Sequence, residues 1–138
     1  MKLKFVPIPP DAARKTVAHW LPFIEQIARR ARAKPLVLIG NVLSGTVHLC
    51  LAWDADRNEA KALAGTQIVR RGDTRIAELI WLTGSGHEHW IPLFSDLERY
   101  FREHQGCAGI KAIARPGWSK LLKAKGYRLT HVMMEKDF

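Results

Sequence analysis

Cysteine is scarce here: only Cys50 and Cys107 occur among 138 residues. Each lies in an apolar stretch with no companion at metal-ligand spacing, so buried free thiols are expected rather than a disulfide framework or a zinc module. Long hydrophobic runs are missing as well. No stretch approaches the roughly 18 to 20 apolar residues needed to span a bilayer. The stretch from Met1 to Val6 breaks at Pro7 and Pro9 before a signal-peptide core forms, which implies no membrane partner and a cytoplasmic location. Repeats, linkers and low-complexity tracts are absent, and with 47% hydrophobic and 25% charged residues the chain reads as one domain over residues 1–138. No helix-turn-helix, zinc-finger or RNA-recognition signature is present, which disfavours sequence-specific nucleic-acid reading.

Negative charge is also in short supply. Lys plus Arg number 22 against 13 Asp plus Glu, a net charge of +9 that favours polyanions. Non-specific nucleic acid, an acidic protein partner and a phosphorylated cofactor all satisfy that bias. The basic residues gather in Arg29-Arg30-Ala31-Arg32-Ala33-Lys34, in Arg70-Arg71 and between Lys111 and Arg128. Solvated helix faces are the alternative reading of the same groups.

Val17, Trp20, Leu21, Ile24, Ile27, Ala28 and Ala31 recur at spacings of three and four, which predicts a long helix starting near Asp11, with Pro22 kinking or dividing it. Pro35 and Gly45 bracket a short second helix. From Thr46 the period changes to alternation: Val47, Leu49 and Leu51 against His48, Cys50 and Ala52, ending at Trp53. Turns at residues 54–58 and 71–73 divide this strand from two more, at 60–70 and 75–83, giving an antiparallel meander. Beyond Gly84-Ser85-Gly86, the residues Trp90, Leu93, Phe94, Leu97, Tyr100 and Phe101 restore helical spacing. A strand at 109–114, a helix from Pro116 to Lys125 closed by Gly126, and a final strand from Tyr127 to Glu135 complete the α/β series.

This order resembles the GNAT fold of the GCN5-related N-acetyltransferases over nearly the whole chain. The likeness is sharpest from Ile110 to Tyr127, where Arg115-Pro116-Gly117-Trp118 precedes the last helix and Gly126-Tyr127 follows it. That version, together with Leu43-Ser44-Gly45, is similar to small GNAT-like proteins of phages and prophages, which implies virion association as an alternative location. The resemblance implies acetyl-CoA as cofactor, an amine as acceptor, and a cleft where the third meander strand splays from the next parallel strand. The family signature Gln/Arg-x-x-Gly-x-Gly/Ala corresponds to Trp81-Leu82-Thr83-Gly84-Ser85-Gly86, with Trp81 replacing the expected polar residue. Thr83, Gly84, Ser85, Gly86 and His87 are thereby implied as the pyrophosphate cradle, because glycines let backbone amides approach an anion. An ordinary strand-to-helix turn accounts for the same two glycines.

Glu78 matches the place of the family's general base, and a partly buried carboxylate can be tuned for that work. A salt-bridged structural glutamate is the alternative. Leu122 stands where many relatives carry the tyrosine that protonates the leaving thiolate, and it has no proton to give. His87, at the cleft mouth, is a second acid-base candidate because histidine titrates near neutrality. His87-Glu88-His89 lacks further ligands for a metal site. Arg115 is a candidate phosphate partner, and Trp118 is expected to pack on Trp90 or Tyr127, or to stack on a base. A non-catalytic packing or docking role for the same fold is the competing function.

Overall fold

The computed structural model describes residues 2–113 and 115–138. Five strands form one sheet in the order β1 (Leu3–Ile8), β2 (His48–Asp54), β3 (Glu59–Arg71), β4 (Thr74–Gly84) and β5 (Cys107–Ala112). The first four are antiparallel and β4 pairs with β5 in parallel. Helices α1 (Pro10–Ala13), α2 (Val17–Ala31) and α3 (Pro35–Leu43) lie between β1 and β2, α4 (His87–Trp90) and α5 (Phe94–Glu103) between β4 and β5, and α6 (Pro116–Ala124) after β5.

Both faces of the sheet are buried. On one, Leu49, Leu51 and Leu63 meet Trp20, Ile24 and Ala28 of α2 and Leu38 and Val42 of α3. On the other, the small residues Cys50, Ala52, Ala62, Ala64 and Ala77 lie under Trp90, Phe94, Leu97 and Phe101. Small strand residues leave the depth that large helix aromatics fill, apart from a space of about 40 Å³ left between Ala52, Ala62 and Ala64 and the side chains of Trp90, Phe94 and Leu97. Both cysteines are free and buried, and burial pushes the Cys50 thiol up to about 12.

The meander and the helix at Pro35 match the sequence reading; the two ends of the chain do not. Strand β1 was hidden by Pro7, which reads as a breaker, yet β1 is the sheet edge and a residue without an amide donor is tolerated there. Pro22 does not divide its helix. The interruption falls instead at a 3-10 turn, Arg14–Thr16, while α2 runs through Pro22. Pro22 and Ala18 are both exposed, so the carbonyl that loses its donor is free to bond water. The expected strand from Tyr127 to Glu135 is absent: residues 127–138 have no regular structure. Its alternation is real, but a hydrogen bond from the Tyr127 amide to the Leu122 carbonyl holds the root of the segment against α6, and no backbone hydrogen bond joins the residues that follow to the sheet among the described residues.

The β2–β3 turn is stapled by Asp54, which is 2% exposed and whose Oδ1 accepts the amides of Asp56 at 3.1 Å and Arg57 at 3.3 Å. Asp54→Ala strands both amides and should lower the unfolding free energy in urea by about 1–3 kcal/mol. A change within error would show that water replaces the carboxylate.

Candidate active site

Strand β4 carries the geometry that opens a cleft. Thr66 faces Leu79 and Gly65 faces Trp81, so Ile80 is an extra residue, a β-bulge. The parallel pairing with β5 ends at the same level, at Leu79 and Ala112, with a last bond from the Ile113 amide to the Leu79 carbonyl at 2.9 Å. From Ile80 to Gly84 the strand pairs, among the described residues, with β3 alone. The two parallel strands therefore separate at the bulge.

Glu78 sits just below that point. Gln67, Glu78 and Lys111 lie side by side across β3, β4 and β5, and the carboxylate accepts from Gln67 Nε2 at 2.7 Å and Lys111 Nζ at 2.8 Å. The hydrogen bond from Lys111 holds the Glu78 carboxyl below the usual carboxylate range against the opposing effect of burial, with Gln67 adding in the same direction. Glu78 is thus an anion at neutral pH. Sequence reasoning found Glu78 but missed Lys111 and Gln67, because their partnership depends on strand register.

At the upper end the glycine segment divides its work. The Thr83 side chain turns away from the β4–β5 cleft: its hydroxyl donates to Gln26 at 2.8 Å and accepts from Arg30 at 3.3 Å, both on α2. Gly84 lies against β3, where a Cβ would stand 2.5 Å from Ala62 Cβ, 2.7 Å from Ala62 Cα and 2.7 Å from the Lys61 carbonyl. Its bare backbone is required by the neighbouring strand, irrespective of any anion. Gly86 takes the left-handed backbone, at φ 65° before α4, and the first turn of α4 has no side-chain cap. Ser85 is exposed and its carbonyl accepts from Trp90 Nε1 at 3.1 Å, which ties the turn to the core. Trp81, in place of the polar signature residue, lays its ring over Gly65 at the bulge.

Trp118 closes the cluster from α6. Its ring lies 5.4 Å from Trp90 and 6.3 Å, edge on, from His87. The packing on Trp90 agrees with expectation. Arg115, exposed at the start of α6, accepts the Trp118 amide on its carbonyl. The turn before α4 and the turn before α6 are thereby joined through His87, Trp90 and Trp118, whereas Glu78 lies at the closed end of the cleft and shares no hydrogen bond or ion pair with His87 among the described residues. Glu88 lies between His87 and His89, at 3.9 and 3.5 Å. Leu122 is buried. Tyr127 donates its hydroxyl to Glu98 at 2.9 Å and packs edge on against Phe94; burial, then Glu98, pushes its pKa upward. His48 packs against Phe101, and burial, with Arg75 assisting, lowers its pKa.

No protein-family model and no curated protein sequence matches the chain. Solved structures do match. An aminoglycoside N-acetyltransferase in complex with CoA superposes with a TM-score of 0.70 at 14% identity, over 99% of this chain and 94% of that one. An acetyltransferase from Trypanosoma brucei gives 0.70 at 13% identity over 99% and 100%. Glucosamine-6-phosphate N-acetyltransferase from Arabidopsis thaliana gives 0.67 at 10% identity over 100% and 99%. With nearly full coverage on both sides, and with the bulged, splayed β4 in place, the chain has the fold of the GNAT acetyltransferases.

Proposed function

We propose that this protein is an N-acyltransferase that moves an acetyl group from acetyl-CoA to an amine. The observation that carries the proposal is the coincidence of the β4 bulge with the last β4–β5 hydrogen bond, which opens a cleft between two parallel strands. The uncapped first turn of α4 and the bare backbone at Gly86 provide amide donors for a pyrophosphate at the mouth, and the +9 charge of the chain favours the polyanionic cofactor. Arg115 and the face of Trp118 extend that mouth toward further phosphate and the adenine ring.

Acetyl-CoA supplies an activated thioester, so the protein has to orient the amine, hold its free base and take the proton released on attack. We assign that last task to Glu78, acting through a water: it is ionised at neutral pH, although Lys111 lowers its pKa and makes it a weaker base than the burial-tuned carboxylate the sequence suggests. Neither Leu122, which is apolar, nor the Tyr127 hydroxyl, which is engaged with Glu98, supplies a proton to the departing thiolate. The thiolate takes its proton from solvent.

Calorimetric titration with acetyl-CoA tests the binding half, and micromolar affinity is the expected result. No heat at millimolar cofactor would instead favour a non-catalytic docking module of the same fold, one that uses its charge on nucleic acid or an acidic protein. The two largest basic groups sit on α2 and α6, which pack on opposite faces of the sheet, so that alternative requires two separate contact surfaces. For the chemical half, Glu78→Gln should lower turnover at least about tenfold while leaving acetyl-CoA affinity unchanged, because it removes the proton acceptor and keeps the shape. Equal turnover would make Glu78 a purely structural residue.

A further inference from the structure

Above the bulge, β4 is an arm bonded on one side. Residues 80–84 pair, among the described residues, with β3 alone, and the Ser85 amide ends that ladder on the Lys61 carbonyl at 3.4 Å. The arm leads into the Gly86 turn and the uncapped start of α4. A segment with a single bonded neighbour opens more readily than one held on both sides, so its other restraints matter. On one face of the sheet, Trp90 Nε1 donates to the Ser85 carbonyl at 3.1 Å. On the other, Thr83 is 1% exposed and its hydroxyl works twice, accepting from Arg30 Nη1 at 3.3 Å and donating to Gln26 Oε1 at 2.8 Å. One buried hydroxyl thus ties the arm to the end of α2.

We propose that Arg30 and Gln26 are positioning residues: by gripping Thr83 from behind they fix the arm, and with it the Gly86 turn, at the spacing from β5 that a cofactor pyrophosphate requires. The ligand rests on the acyltransferase reading, whereas the bracing of the arm stands without it. Helix α2 is suited to the task because Trp20, Ile24 and Ala28 anchor it in the core, each at most 1% exposed. Of the cations from Arg29 to Lys34, Arg30 alone is bonded to the sheet among the described residues, while Arg32 meets only the solvent-exposed Asp137. The two residues act through Thr83 and need not touch the ligand. A rival role for Arg30, direct attraction of the phosphates, would need its charge but not its bond.

Thr83→Val removes both bonds and nearly keeps the shape, and Arg30→Met removes one bond together with the charge. Each should weaken acetyl-CoA binding about fivefold or more in calorimetric titration, raising the KM for acetyl-CoA without an equal fall in kcat. Thr83→Ser should restore native values. The double variant should bind no more weakly than Thr83→Val alone, because both changes act through one hydroxyl. Amide exchange reads the brace without any ligand: Ser85 and His89, bonded to the Lys61 and Gly86 carbonyls, should exchange about fivefold or more faster in Thr83→Val, while the amides of α5 keep the native rate. Unchanged exchange at Ser85 and His89 overturns the proposal, and so does faster exchange with native affinity. A further loss of affinity when Arg30→Met is added to Thr83→Val also overturns it, by assigning Arg30 to direct attraction of the phosphates. If the native chain binds no acetyl-CoA, the acyltransferase reading ends there, and exchange at Ser85 and His89 still decides whether α2 holds the arm.

Discussion

Gly84→Val should destabilise the domain by about 3 kcal/mol or more, lowering its melting temperature by roughly 10 °C. The added Cβ meets Ala62 Cβ, Ala62 Cα and the Lys61 carbonyl at 2.5–2.7 Å, and two of these three atoms are backbone of the paired strand β3. Neither side can yield without opening the ladder between β3 and β4, the strand pair at the centre of the sheet. Gly84→Ala adds the same Cβ and should show most of the effect. The combination with Ala62→Gly should restore only part of it, since the Cα and the carbonyl remain. Gly86 behaves differently: a Cβ there has only His89 Cδ2 at 3.4 Å, and the cost of Gly86→Ala is the left-handed backbone at φ 65°, about 1 kcal/mol. Calorimetric melting of the four variants separates these cases, and an unchanged melting temperature for Gly84→Val would refute the close strand packing. Loss of acetyl-CoA binding is therefore diagnostic only when Gly86 is altered, because a Gly84 variant loses the scaffold first.

The pair of glycines shows where sequence reading stops. Their spacing was legible and so was the turn they make, but the reason for each differs: Gly84 is required by Lys61 and Ala62 of β3, more than twenty positions away, and Gly86 by its own left-handed backbone. The meander was legible because large residues such as Leu49 and Leu51 on one face alternate with small ones such as Cys50 and Ala52 on the other, and α5 because Phe94, Leu97 and Phe101 form a single buried stripe. Strand β1 stayed hidden since Pro7 is tolerable only on an edge, and edge status is a property of the assembled sheet. Residues 127–135 failed in the opposite sense. Their local pattern is that of a strand, but a strand exists only where its amides and carbonyls join a ladder, and none of residues 128–135 is bonded into the sheet among the described residues. At the site, Glu78 was visible as a lone acid in an apolar run, whereas Lys111 and Gln67 became its partners only through register.

That partnership sets the remaining expected result. Lys111→Met should move the acid limb of the rate–pH profile upward, toward the ordinary carboxylate range, because the ammonium that favours ionised Glu78 is gone while burial, which opposes ionisation, remains. Stability changes with a defined sign. The Glu78 pKa is depressed in the folded protein, so the pair contributes fully above the unfolded value of about 4.3 and the contribution disappears as pH falls through the lower folded value. Lys111→Met should accordingly be less stable than the native chain by about 1 kcal/mol at neutral pH, a figure kept small because the Lys111 side chain is 43% exposed and screened by solvent. The deficit should shrink in acid. Two measurements decide what Glu78 does. If it accepts the amine proton, Lys111→Met retains turnover near neutrality, where the carboxylate is still ionised, with its acid limb displaced, and Glu78→Gln loses turnover throughout the range. If the Gln67–Glu78–Lys111 row only staples β3, β4 and β5 at the foot of the cleft, both variants lose activity in proportion to their loss of stability, and the limb stays where it was. An unmoved limb in a folded Lys111→Met protein assigns the titrating group elsewhere and ends the case for Glu78 as the base.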